Sequence, residues 1–390
     1  MAKIHLTIGY DAKRAVQNDT GLGNYSRLVL GSMSAMYPDN KYLLLAPKVR
    51  ENNRLEPILL RENVELVSPS GALLRRLPSW WRSIEMVQDW PRLGLDLYHG
   101  LSNEIPLTSN FSPIPTVVTI HDLIWQKIPQ DYKPIDRWFY EHKYSRSARL
   151  ATRVIAISER TKADMIESWH IDPEKIDVIY QGCDPIFSAR IDYDRKQRVR
   201  AKYGLPESYI ITVGTVQSRK NQLLAVKGLE YLPKHIKLVI VGGGDPAYRA
   251  EIEAYASSHG LTDRLMWLLN IPFDDFPALY AAAELSTYTS RYEGFGIPVI
   301  ESISAGTPVV ACTGSCLEEA GGPGAMYVGP DDVRGFVEAA SAILDKRYLH
   351  DRLVDNGRKY VKRFNPADFA SSILKTYNKA ILDFMLSKEK

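Results

Sequence analysis

The sequence predicts an α/β protein made of two doubly wound, Rossmann-like domains that face a central cleft. Short apolar, β-branched runs alternate with helical periods along the chain, which is the pattern of consecutive βαβ units. Runs such as Leu238–Val241 carry no polar alternation, as expected of parallel strands buried on both faces. The chain of 390 residues is long enough for two or three domains.

The composition excludes several functional classes. The 49 basic and 46 acidic residues leave a formal charge of +3, which is too balanced for a nucleic-acid coat protein. Only Cys183, Cys312 and Cys316 occur, so neither a disulfide framework nor a zinc site is favoured and a reducing cytosol fits best. No stretch reaches the roughly 20 apolar residues of a spanning helix, and Met1–Asp11 is typical of a strand rather than a signal peptide. We therefore expect a soluble protein that is not exported.

The predicted strands form two series. In the first half they are Ile4–Gly9, Tyr42–Ala46, Leu95–His99, Thr116–Ile120, Arg153–Ile157 and Asp177–Tyr180. In the second half they are Tyr209–Val213, Lys237–Val241, Arg264–Leu268, Leu285–Thr289 and Pro308–Ala311. The polar, poorly periodic segment Ser188–Ser208 between the series is typical of an interdomain connection. Three helical segments close the chain: Asp331–Leu344, Tyr348–Arg363 and Pro366–Ser387.

The strongest motif is Glu293–Glu301 (EGFGIPVIE), which Gly306 follows. Pro298 suits the first helical position of a short helix, and Gly306 suits the position after its last residue. The glycines before Pro298 let the backbone approach a ligand, and the free N–H groups of a helix start favour phosphate. Glu301 would accept hydrogen bonds from a ribose diol. The alternative is that Glu301 only interacts with the helix dipole and the glycines only form a turn.

A second motif follows the first strand of the second half. Val213–Thr215 ends this strand at a glycine, and Arg219–Asn221 opens a helix. A glycine turn and two adjacent cations suit a diphosphate, with arginine as a bidentate donor and lysine as a point charge. The alternative interpretation places Arg219 and Lys220 on a solvated face.

The first half contributes a glycine-containing loop and a histidine. The loop Asp19–Asn24 (DTGLGN) follows the first strand, but Ser26 stands where a dinucleotide fingerprint needs its third glycine. The loop either brings N–H groups to a phosphate or is a plain βα loop. His121 follows the strand Thr116–Ile120, at the edge where a ligand would lie. A lone histidine is otherwise usually structural.

Together these motifs resemble the retaining glycosyltransferases of family 4. The resemblance rests on an E-x7-E signature and on three further motifs in the family's order, namely Glu293 with Glu301, Arg219–Asn221, Gly21–Gly23 and His121 with Asp122. It implies a GT-B fold with an acceptor-binding domain at residues 1–190 and a nucleotide-sugar-binding domain at 191–365. It also implies a C-terminal helix at 366–390 that crosses back to the first domain.

The resemblance implies a role for each of these residues. The catalytic residues would be His121, Glu293, Arg219 and Lys220. The donor-binding residues would be Gly21, Gly23, Gly214, Thr215, Arg219, Lys220, Asn270, Ile271, Glu293, Gly294, Phe295, Gly296, Ile297 and Glu301. Arg219 and Lys220 would hold the diphosphate and Glu301 the ribose. Near the base, this sequence has Leu269–Ile271 where the family often has a glycine.

The resemblance further implies a hexosyltransferase that uses no metal and no other cofactor. Cations at the diphosphate would do the work of a metal, and the DxD-like Asp192–Asp194 lies in the polar connection rather than at a strand end. His121–Leu123 and Thr20–Tyr25 look similar to bacterial mannosyltransferases of surface-polysaccharide assembly. GDP-mannose is therefore the first donor to consider, and a carbohydrate or a lipid-linked oligosaccharide is the expected acceptor.

Three alternatives differ in chemistry. One is a transferase that uses a UDP-sugar. Another is a nucleotide-sugar epimerase of the same fold, which needs a general acid and base around the sugar and no acceptor subsite. The third is a non-catalytic nucleotide-sugar-binding protein, which would keep Arg219 and Lys220 but would not need Glu293.

The segment Leu73–Arg82 (LLRRLPSWWR) interleaves cations with large apolar side chains. Such a stretch suits an anionic membrane surface, which predicts peripheral contact with the inner face of the cytoplasmic membrane. The alternative is that Trp80 and Trp81 begin a packed helix that ends near Trp90, while the arginines are solvated.

Overall fold

The computed structural model describes residues 5–70, Leu74 and 76–389, which divide into two compact units. Unit 1 consists of the described residues up to Leu123, of Tyr132–Gly182 and of the residues from Pro366 onward. Unit 2 consists of Ile124–Asp131 and Cys183–Asn365.

Unit 1 contains a seven-stranded sheet with the order β3-β2-β1-β4-β5-β6-β7. Its strands are β1 Thr7–Asp11, β2 Lys41–Leu45, β3 Val64–Val67, β4 Leu97–Gly100, β5 Thr116–Ile120, β6 Arg153–Ala156 and β7 Ile176–Val178. All neighbouring pairs are parallel, and Gly9 on β1 lies between Leu43 on β2 and Tyr98 on β4. The strand order reverses between β1 and β4, which makes the carboxyl ends of these two strands the topological switch point of unit 1.

Helices pack on this sheet. Their bounds are Lys13–Gln17, Gly21–Met36, Glu56–Leu59, Pro78–Trp80, Met86–Asp89, Pro134–Leu150, Glu159–Trp169 and Pro366–Lys388, with a π-helical turn at Trp81–Glu85. The last helix is anchored by the Tyr377 hydroxyl, which lies 2.8 Å from Nδ1 of His99 and 3.0 Å from the Tyr10 hydroxyl. The C-terminal helix is therefore part of the core of unit 1.

Unit 2 contains a six-stranded parallel sheet with the order β10-β9-β8-β11-β12-β13. Its strands are β8 Tyr209–Val213, β9 Lys237–Val241, β10 Leu265–Leu268, β11 Leu285–Tyr288, β12 Val309–Cys312 and β13 Ala325–Val328. The helices are Ile124–Lys127, Tyr193–Tyr203, Gln222–Leu229, Pro246–Ser258, Phe276–Ala281, Ile297–Ala305, Leu317–Gly321, Val333–Asp345 and Arg347–Val361. The switch point of this sheet lies between β8 and β11.

The predicted fold class, with two doubly wound parallel sheets, is confirmed, but two strands were missed. Both β3 and β13 are four-residue edge strands. Two of the four residues of each are only half-buried. Glu65 interrupts the apolar run of β3, whereas β13 (AMYV) is apolar throughout but only four residues long and lies between glycines.

The interpretation of Ser188–Ser208 as an irregular connection was wrong. A helix spans Tyr193–Tyr203, begins at the N-cap Asp192 and ends at Gly204, which is left-handed with φ 61°. The Asp192 side chain accepts a 2.7 Å hydrogen bond from the backbone N–H of Arg195. Since Val199 is the buried residue of this helix, its sequence lacks an apolar stripe, and Asp192–Asp194 is a helix start rather than a solvated linker.

Within residues 5–70, 74 and 76–389, every helix is too short or too polar to cross a bilayer.

Candidate functional site

The motif residues of unit 2 meet at its switch point. After β8 the chain passes through Gly214 and a 3₁₀ turn at Ser218–Lys220, and after β11 it continues through Thr289–Glu293. The backbone N–H of Arg291 donates a 2.8 Å hydrogen bond to the Arg219 carbonyl. This bond fixes the two loops against each other at the edge where ligands bind in open α/β sheets.

Glu293 stands at the centre of this site. Its Oε1 lies 2.9 Å from Nη1 of Arg219 and 2.5 Å from Nζ of Lys220, and the Ser290 hydroxyl donates to the same oxygen. Arg219 also donates a 2.6 Å hydrogen bond to the Tyr292 carbonyl. One carboxylate oxygen therefore holds both cations in place.

The aromatic ring at the end of β11 completes the environment of Lys220. Nζ of Lys220 donates a 2.6 Å hydrogen bond to the Tyr288 hydroxyl and lies 4.9 Å from the centroid of that ring. The ring face and the hydroxyl both favour the charged ammonium.

The electrostatics of the site contradict the solvated-face interpretation of these cations. Arg219 is 9% exposed and Glu293 is 7% exposed. Burial opposes ionisation of Glu293, but Lys220 and Arg219 hold its pKa below the usual range. Because two cations share one carboxylate, the three side chains carry one net positive charge in a largely desolvated place, where charge interactions are strong.

Asn221 shapes the turn that presents Arg219 and Lys220. It adopts the left-handed conformation with φ 55°, which asparagine tolerates better than most residues. Its side-chain amide donates to the carbonyls of Pro330 at 2.7 Å and Thr289 at 3.2 Å. This amide ties the turn to the loop after β11.

Two buried thiols contact backbone carbonyls of the loop that follows β11. Cys316 Sγ lies 3.1 Å from the Glu293 carbonyl and 3.0 Å from the Phe295 carbonyl, and Cys312 Sγ lies 3.2 Å from the Thr289 carbonyl. Burial raises the pKa of Cys312 to about 12 and raises that of Cys316 as well. Both thiols are therefore protonated donors to the backbone.

The helix of the E-x7-E motif ends where predicted but begins at Ile297, one residue before the predicted start at Pro298. It spans Ile297–Ala305 between Gly296 and Gly306, with Pro298 as its second residue. Gly296 has φ 115°, and a Cβ there would lie 2.7 Å from Cδ2 of Leu317, so a side chain would be both strained and obstructed. No side chain caps this helix start. Pro298 has no N–H and the Val299 N–H donates to the Gly296 carbonyl at 3.0 Å, so the Ile297 N–H is the donor of the first turn that remains for a ligand.

Glu301 lies on the same helix and is half-buried. The Tyr280 hydroxyl donates a 3.3 Å hydrogen bond to its Oε2. Burial and then the Glu301 charge raise the pKa of Tyr280, so Tyr280 remains a donor. Ribose binding by Glu301 stays a prediction.

The glycine turn after β8 makes a close backbone contact that the sequence analysis missed. Gly214 has φ 148° and Gly242 has φ 136°, and a Cβ on Gly242 would lie 2.3 Å from the Gly214 carbonyl oxygen. A Cβ on Gly244 would lie 2.0 Å from the Val216 carbonyl oxygen. The signal was present in the sequence, because three successive glycines follow the predicted strand Lys237–Val241.

Of the other residues assigned to the donor in unit 2, Gly294 and Phe295 are buried, and three lie in exposed or half-buried positions. Thr215 is exposed after β8, and Asn270 and Ile271 follow β10. Asn270 is left-handed with φ 55°, so asparagine here adopts the backbone conformation that glycine adopts most readily.

His121 lies in unit 1 at the end of β5 and is buried. Its Nε2 lies 2.9 Å from the Leu101 carbonyl oxygen, and the Tyr25 ring contacts it edge-on with centroids 4.7 Å apart. Burial lowers the pKa of His121 to about 4. The ring is therefore neutral at pH 7, with the proton on Nε2 because a carbonyl can only accept.

Gly21 and Gly23 are placed in a helix rather than in the loop before it. The helix Gly21–Met36 includes both residues, so their assignment to a βα loop was wrong. A Cβ on Gly23 would lie 1.7 Å from the Asn18 carbonyl oxygen, which explains that glycine by packing. Gly21 is exposed with open space around it.

The segment Leu73–Arg82 was predicted either to contact a membrane surface or to begin a packed helix with solvated arginines, and the structure agrees with neither in full. Leu73 and Arg75 lie outside the described residues. Trp81 is buried and Trp80 is half-exposed, as expected for a helix that packs on one side. Arg82 is also buried, so the prediction of a solvated or membrane-facing arginine was wrong at this position.

Comparison with known proteins agrees with these motifs. The family model described as glycosyl transferases group 1 matches residues 195–360, and the glycosyltransferase family 4 model matches residues 40–187. The O-antigen chain mannosyltransferase RfbU of Salmonella typhimurium is 27% identical over 261 residues, which are 67% of each chain. The O-antigen chain mannosyltransferase B of Escherichia coli is 27% identical over 242 residues, which are 61% of this chain and 62% of that one.

A solved structure shares the fold. Anabaena Alr3699/HepE in complex with UDP and glucose is 19% identical, with a TM-score of 0.75 over 96% of this chain and 100% of that chain. The two parallel sheets are thus those of the GT-B fold. The two family models together match most of the chain, so this protein belongs to the group 1 glycosyltransferases of family 4.

Proposed function

We propose that the protein transfers a hexose, with retention of anomeric configuration and without a metal, from a nucleotide diphosphate sugar to a saccharide acceptor. The observation that carries the proposal is the pair Arg219 and Lys220 held on one oxygen of Glu293 at the switch point of unit 2. This arrangement supplies fixed positive charge where a nucleotide would bind.

The chemistry follows from the charges that develop. When the bond between the sugar and the diphosphate breaks, negative charge grows on the phosphate oxygens. Preoriented cations in a desolvated site stabilise that charge without reorganisation. The start of the helix Ile297–Ala305 has no side-chain cap, and its Ile297 N–H together with the positive end of the helix dipole would also stabilise negative charge on a phosphate.

We propose that no metal bridges the diphosphate. Arg219 and Lys220 already place two cations for the phosphates, and these cations would do the work of a bridging metal. Transfer should therefore proceed unchanged in EDTA. A strict need for Mg²⁺ or Mn²⁺ would contradict the proposal.

For the donor we propose GDP-mannose, because the relatives in Salmonella and Escherichia coli are O-antigen chain mannosyltransferases. UDP-glucose is the second candidate, since the Anabaena structure holds UDP and glucose. By the same reasoning the product would belong to a surface polysaccharide, and the acceptor would be a carbohydrate or a lipid-linked oligosaccharide.

The remaining roles follow the family's pattern. In unit 2 we propose that Glu293 and the backbone of Gly294–Ile297 contact the sugar and phosphates, and that Glu301 holds the ribose. In unit 1 we propose that His121 lies beside the transferred sugar. Its neutral state at pH 7 suits hydrogen bonding rather than charge stabilisation.

The decisive experiment is a thermal-shift panel of GDP, UDP and their hexose conjugates, because a ligand that binds only the folded state raises its stability. GDP or GDP-mannose should raise Tm, and Lys220→Ala should abolish the shift. Lys237→Ala is the matched control, since Lys237 is exposed at the amino end of β9, away from the carboxyl ends of the strands where the site lies. If no nucleotide shifts Tm, the donor site is wrong.

Product analysis then separates transfer from epimerisation. With GDP-mannose and no acceptor, a transferase should release mannose and GDP slowly. An isomerised nucleotide sugar would identify an epimerase instead, and intact donor after long incubation would indicate a binding protein.

We also propose a cytoplasmic location with peripheral contact to the inner face of the membrane, through the exposed Leu77 and Trp80. Cosedimentation with anionic vesicles should be strong at low salt and weak at high salt. It should fall in Arg75→Glu/Arg76→Glu. Absence of binding at low salt would contradict this location.

A further inference from the structure

A second charged cluster lies at the switch point of unit 1, between the carboxyl ends of β1 and β4. Asp11 is the last residue of β1, and Glu104 follows β4 within a few residues. Arg82 comes from the π-helical turn Trp81–Glu85, and such turns are frequent at functional sites. The cluster thus occupies the position where open α/β sheets bind ligands, and none of the motifs above accounts for it.

The inner part of the cluster is electrically neutral. Arg82 donates to both oxygens of Asp11, with Nε at 2.9 Å from Oδ2, and to Oε2 of Glu104 at 3.0 Å. Lys143 forms an ion pair with the same Glu104. Burial opposes ionisation of Glu104, but Arg82 and Lys143 lower its pKa to about 2. Two cations and two carboxylates therefore balance each other.

Two further lysines face the same place and are not part of this balance. Lys13 and Lys48 line a cavity of about 240 Å³ together with Ser79, Arg82, Ser83 and Lys143. Among the described residues, neither Lys13 nor Lys48 has a carboxylate within ion-pair distance of its ammonium. Gln17 holds the loop of Lys48 through a 3.0 Å hydrogen bond to the Lys48 carbonyl. The cavity therefore has a surplus of positive charge and hydroxyl donors.

The ionisation of Lys13 agrees with this surplus. Burial and then the charge of Arg82 lower its pKa. A bound anion would relieve this unfavourable field.

We propose that this cavity is a second anion site and that it binds a phosphate group of the acceptor. The assignment rests on the proposed function, because it takes unit 1 to be the acceptor-binding half. Lys13 and Lys48 supply the net charge, while Arg82 and Lys143, which are paired with the carboxylates, supply N–H donors at the floor of the cavity. A neutral sugar would not require unbalanced lysines at this edge.

Exposed apolar residues stand beside the lining residues in the sequence and would form the rim of the cavity. Val49 follows Lys48, and Leu77 and Trp80 flank Ser79; they are 58%, 49% and 50% exposed. Phosphate on a free sugar and phosphate of a lipid-linked diphosphate share the chemistry of the cavity. Only the lipid would also use this rim.

The test measures phosphate binding to unit 1 separately from the donor site. In an Arg219→Ala/Lys220→Ala background, inorganic pyrophosphate at about ten times its Kd should raise Tm by about 2–4 °C. Adding Lys13→Gln and Lys48→Gln should remove the shift. Adding Lys41→Gln should not, because Lys41 is exposed at the opposite end of β2. An equal shift with and without the two lysines, or no shift at all, would overturn the proposal.

A measurement on the unaltered protein covers the case in which the background variant does not fold. Lysines are methylated reductively with ¹³C-formaldehyde, and the Lys13 and Lys48 signals are identified from the single glutamine variants. Pyrophosphate should move these two signals and leave that of Lys41 in place. Movement of the Lys220 signal alone would contradict a site in unit 1.

Two probes distinguish the sources of the phosphate. A hexose 1-phosphate and farnesyl diphosphate are compared, and Trp80→Ala should weaken only the farnesyl compound if a lipid is bound. Equal affinity of both probes, unaffected by Trp80→Ala, would identify a free sugar phosphate. Because the GDP shift of the Lys13→Gln/Lys48→Gln variant reports the donor site alone, failure of the proposed function is distinguished from failure of this second site.

Discussion

The switch points of the two units differ in the charge of their central buried side chain. In unit 2 one buried carboxylate, Glu293, holds two cations, Arg219 and Lys220. In unit 1 one buried guanidinium, Arg82, holds two carboxylates, Asp11 and Glu104. Both arrangements lie at the carboxyl ends of parallel strands, where the fold leaves loops to carry function.

This difference decides what each charge can do. In unit 2 the cations that would meet the ligand are themselves the partners of the buried group, so removing one changes both binding and the state of Glu293. In unit 1 the Arg82 guanidinium is paired with Asp11 and Glu104, and Lys13 and Lys48 lie outside this ion-pair network. In unit 1 the residue that holds the site together therefore differs from the lysines that would contact a ligand. In unit 2 the same two cations do both.

The largest expected effect is on stability, at Arg82. Arg82→Met leaves the buried Asp11 without its cation and Glu104 with Lys143 alone, which costs about 3–5 kcal/mol of unfolding free energy. Urea denaturation measures it, with Arg92→Met as the control, because the Arg92 side chain is 65% exposed. Adding Asp11→Asn and Glu104→Gln should recover part of the loss. A loss below 1 kcal/mol for Arg82→Met would show that the centre of unit 1 is not an ion-pair network.

The next effect is on turnover, at Arg219 and Lys220. Each alanine variant should lower kcat by about 10² or more, the cost of losing one preoriented donor to developing charge. Steady-state transfer from GDP-mannose measures it, with circular dichroism to show that folding is intact and Lys237→Ala as the control. Near-normal turnover in both variants would remove the diphosphate role from unit 2.

The same contrast explains what the sequence could predict. Arg219–Asn221 and Glu293–Glu301 are contiguous motifs with glycines beside them, so their chemistry is visible locally. Arg82 meets Asp11 across 71 residues and Glu104 across 22. A pattern of neighbouring residues cannot reveal an ion pair between positions so far apart in the chain. The arginines of Leu73–Arg82 were therefore predicted to face solvent or a membrane surface.

The central strands were predictable and the periphery was not. Strands such as Tyr209–Val213 and Lys237–Val241 were predicted to the residue, because four of the five residues of each strand are buried and four of the five are apolar. The helix Tyr193–Tyr203 buries little beyond Val199 and has no apolar stripe to find. Periodicity therefore reveals only those elements that the core covers.

A third prediction concerns pH and belongs to unit 1. Burial lowers the pKa of His99 to about 3 and that of His121 to about 4, from an ordinary 6.5. Below pH 6.5 the unfolded chain binds protons that the folded unit does not, so stability falls as pH decreases from 6.5 toward 4. The slope is up to about 1.4 kcal/mol per pH unit for each histidine.

Urea denaturation at pH 7.5, 6.5, 5.5 and 4.5 measures this slope. His99→Gln should reduce it by about half while lowering stability at pH 7.5, because Nδ1 and Nε2 contact Tyr377 and Thr119 at 2.8 and 2.9 Å. A stability that is flat between pH 6.5 and 4.5 would show that these rings are protonated in the folded protein.

The smallest expected effect tests how far the donor site of unit 2 extends along its helix. Glu301→Gln removes an acceptor, and a neutral amide cannot accept both hydroxyl protons of a ribose diol as the carboxylate does. Nucleotide binding should weaken about tenfold, the size of one charge-assisted hydrogen bond, while kcat at saturating donor changes little. Titration calorimetry with GDP gives the Kd, and Tyr280→Phe is the matched control because it removes the 3.3 Å hydrogen bond to Glu301 and keeps the charge. If Glu301→Gln leaves the Kd unchanged, nucleotide contact in unit 2 ends at the start of the helix Ile297–Ala305.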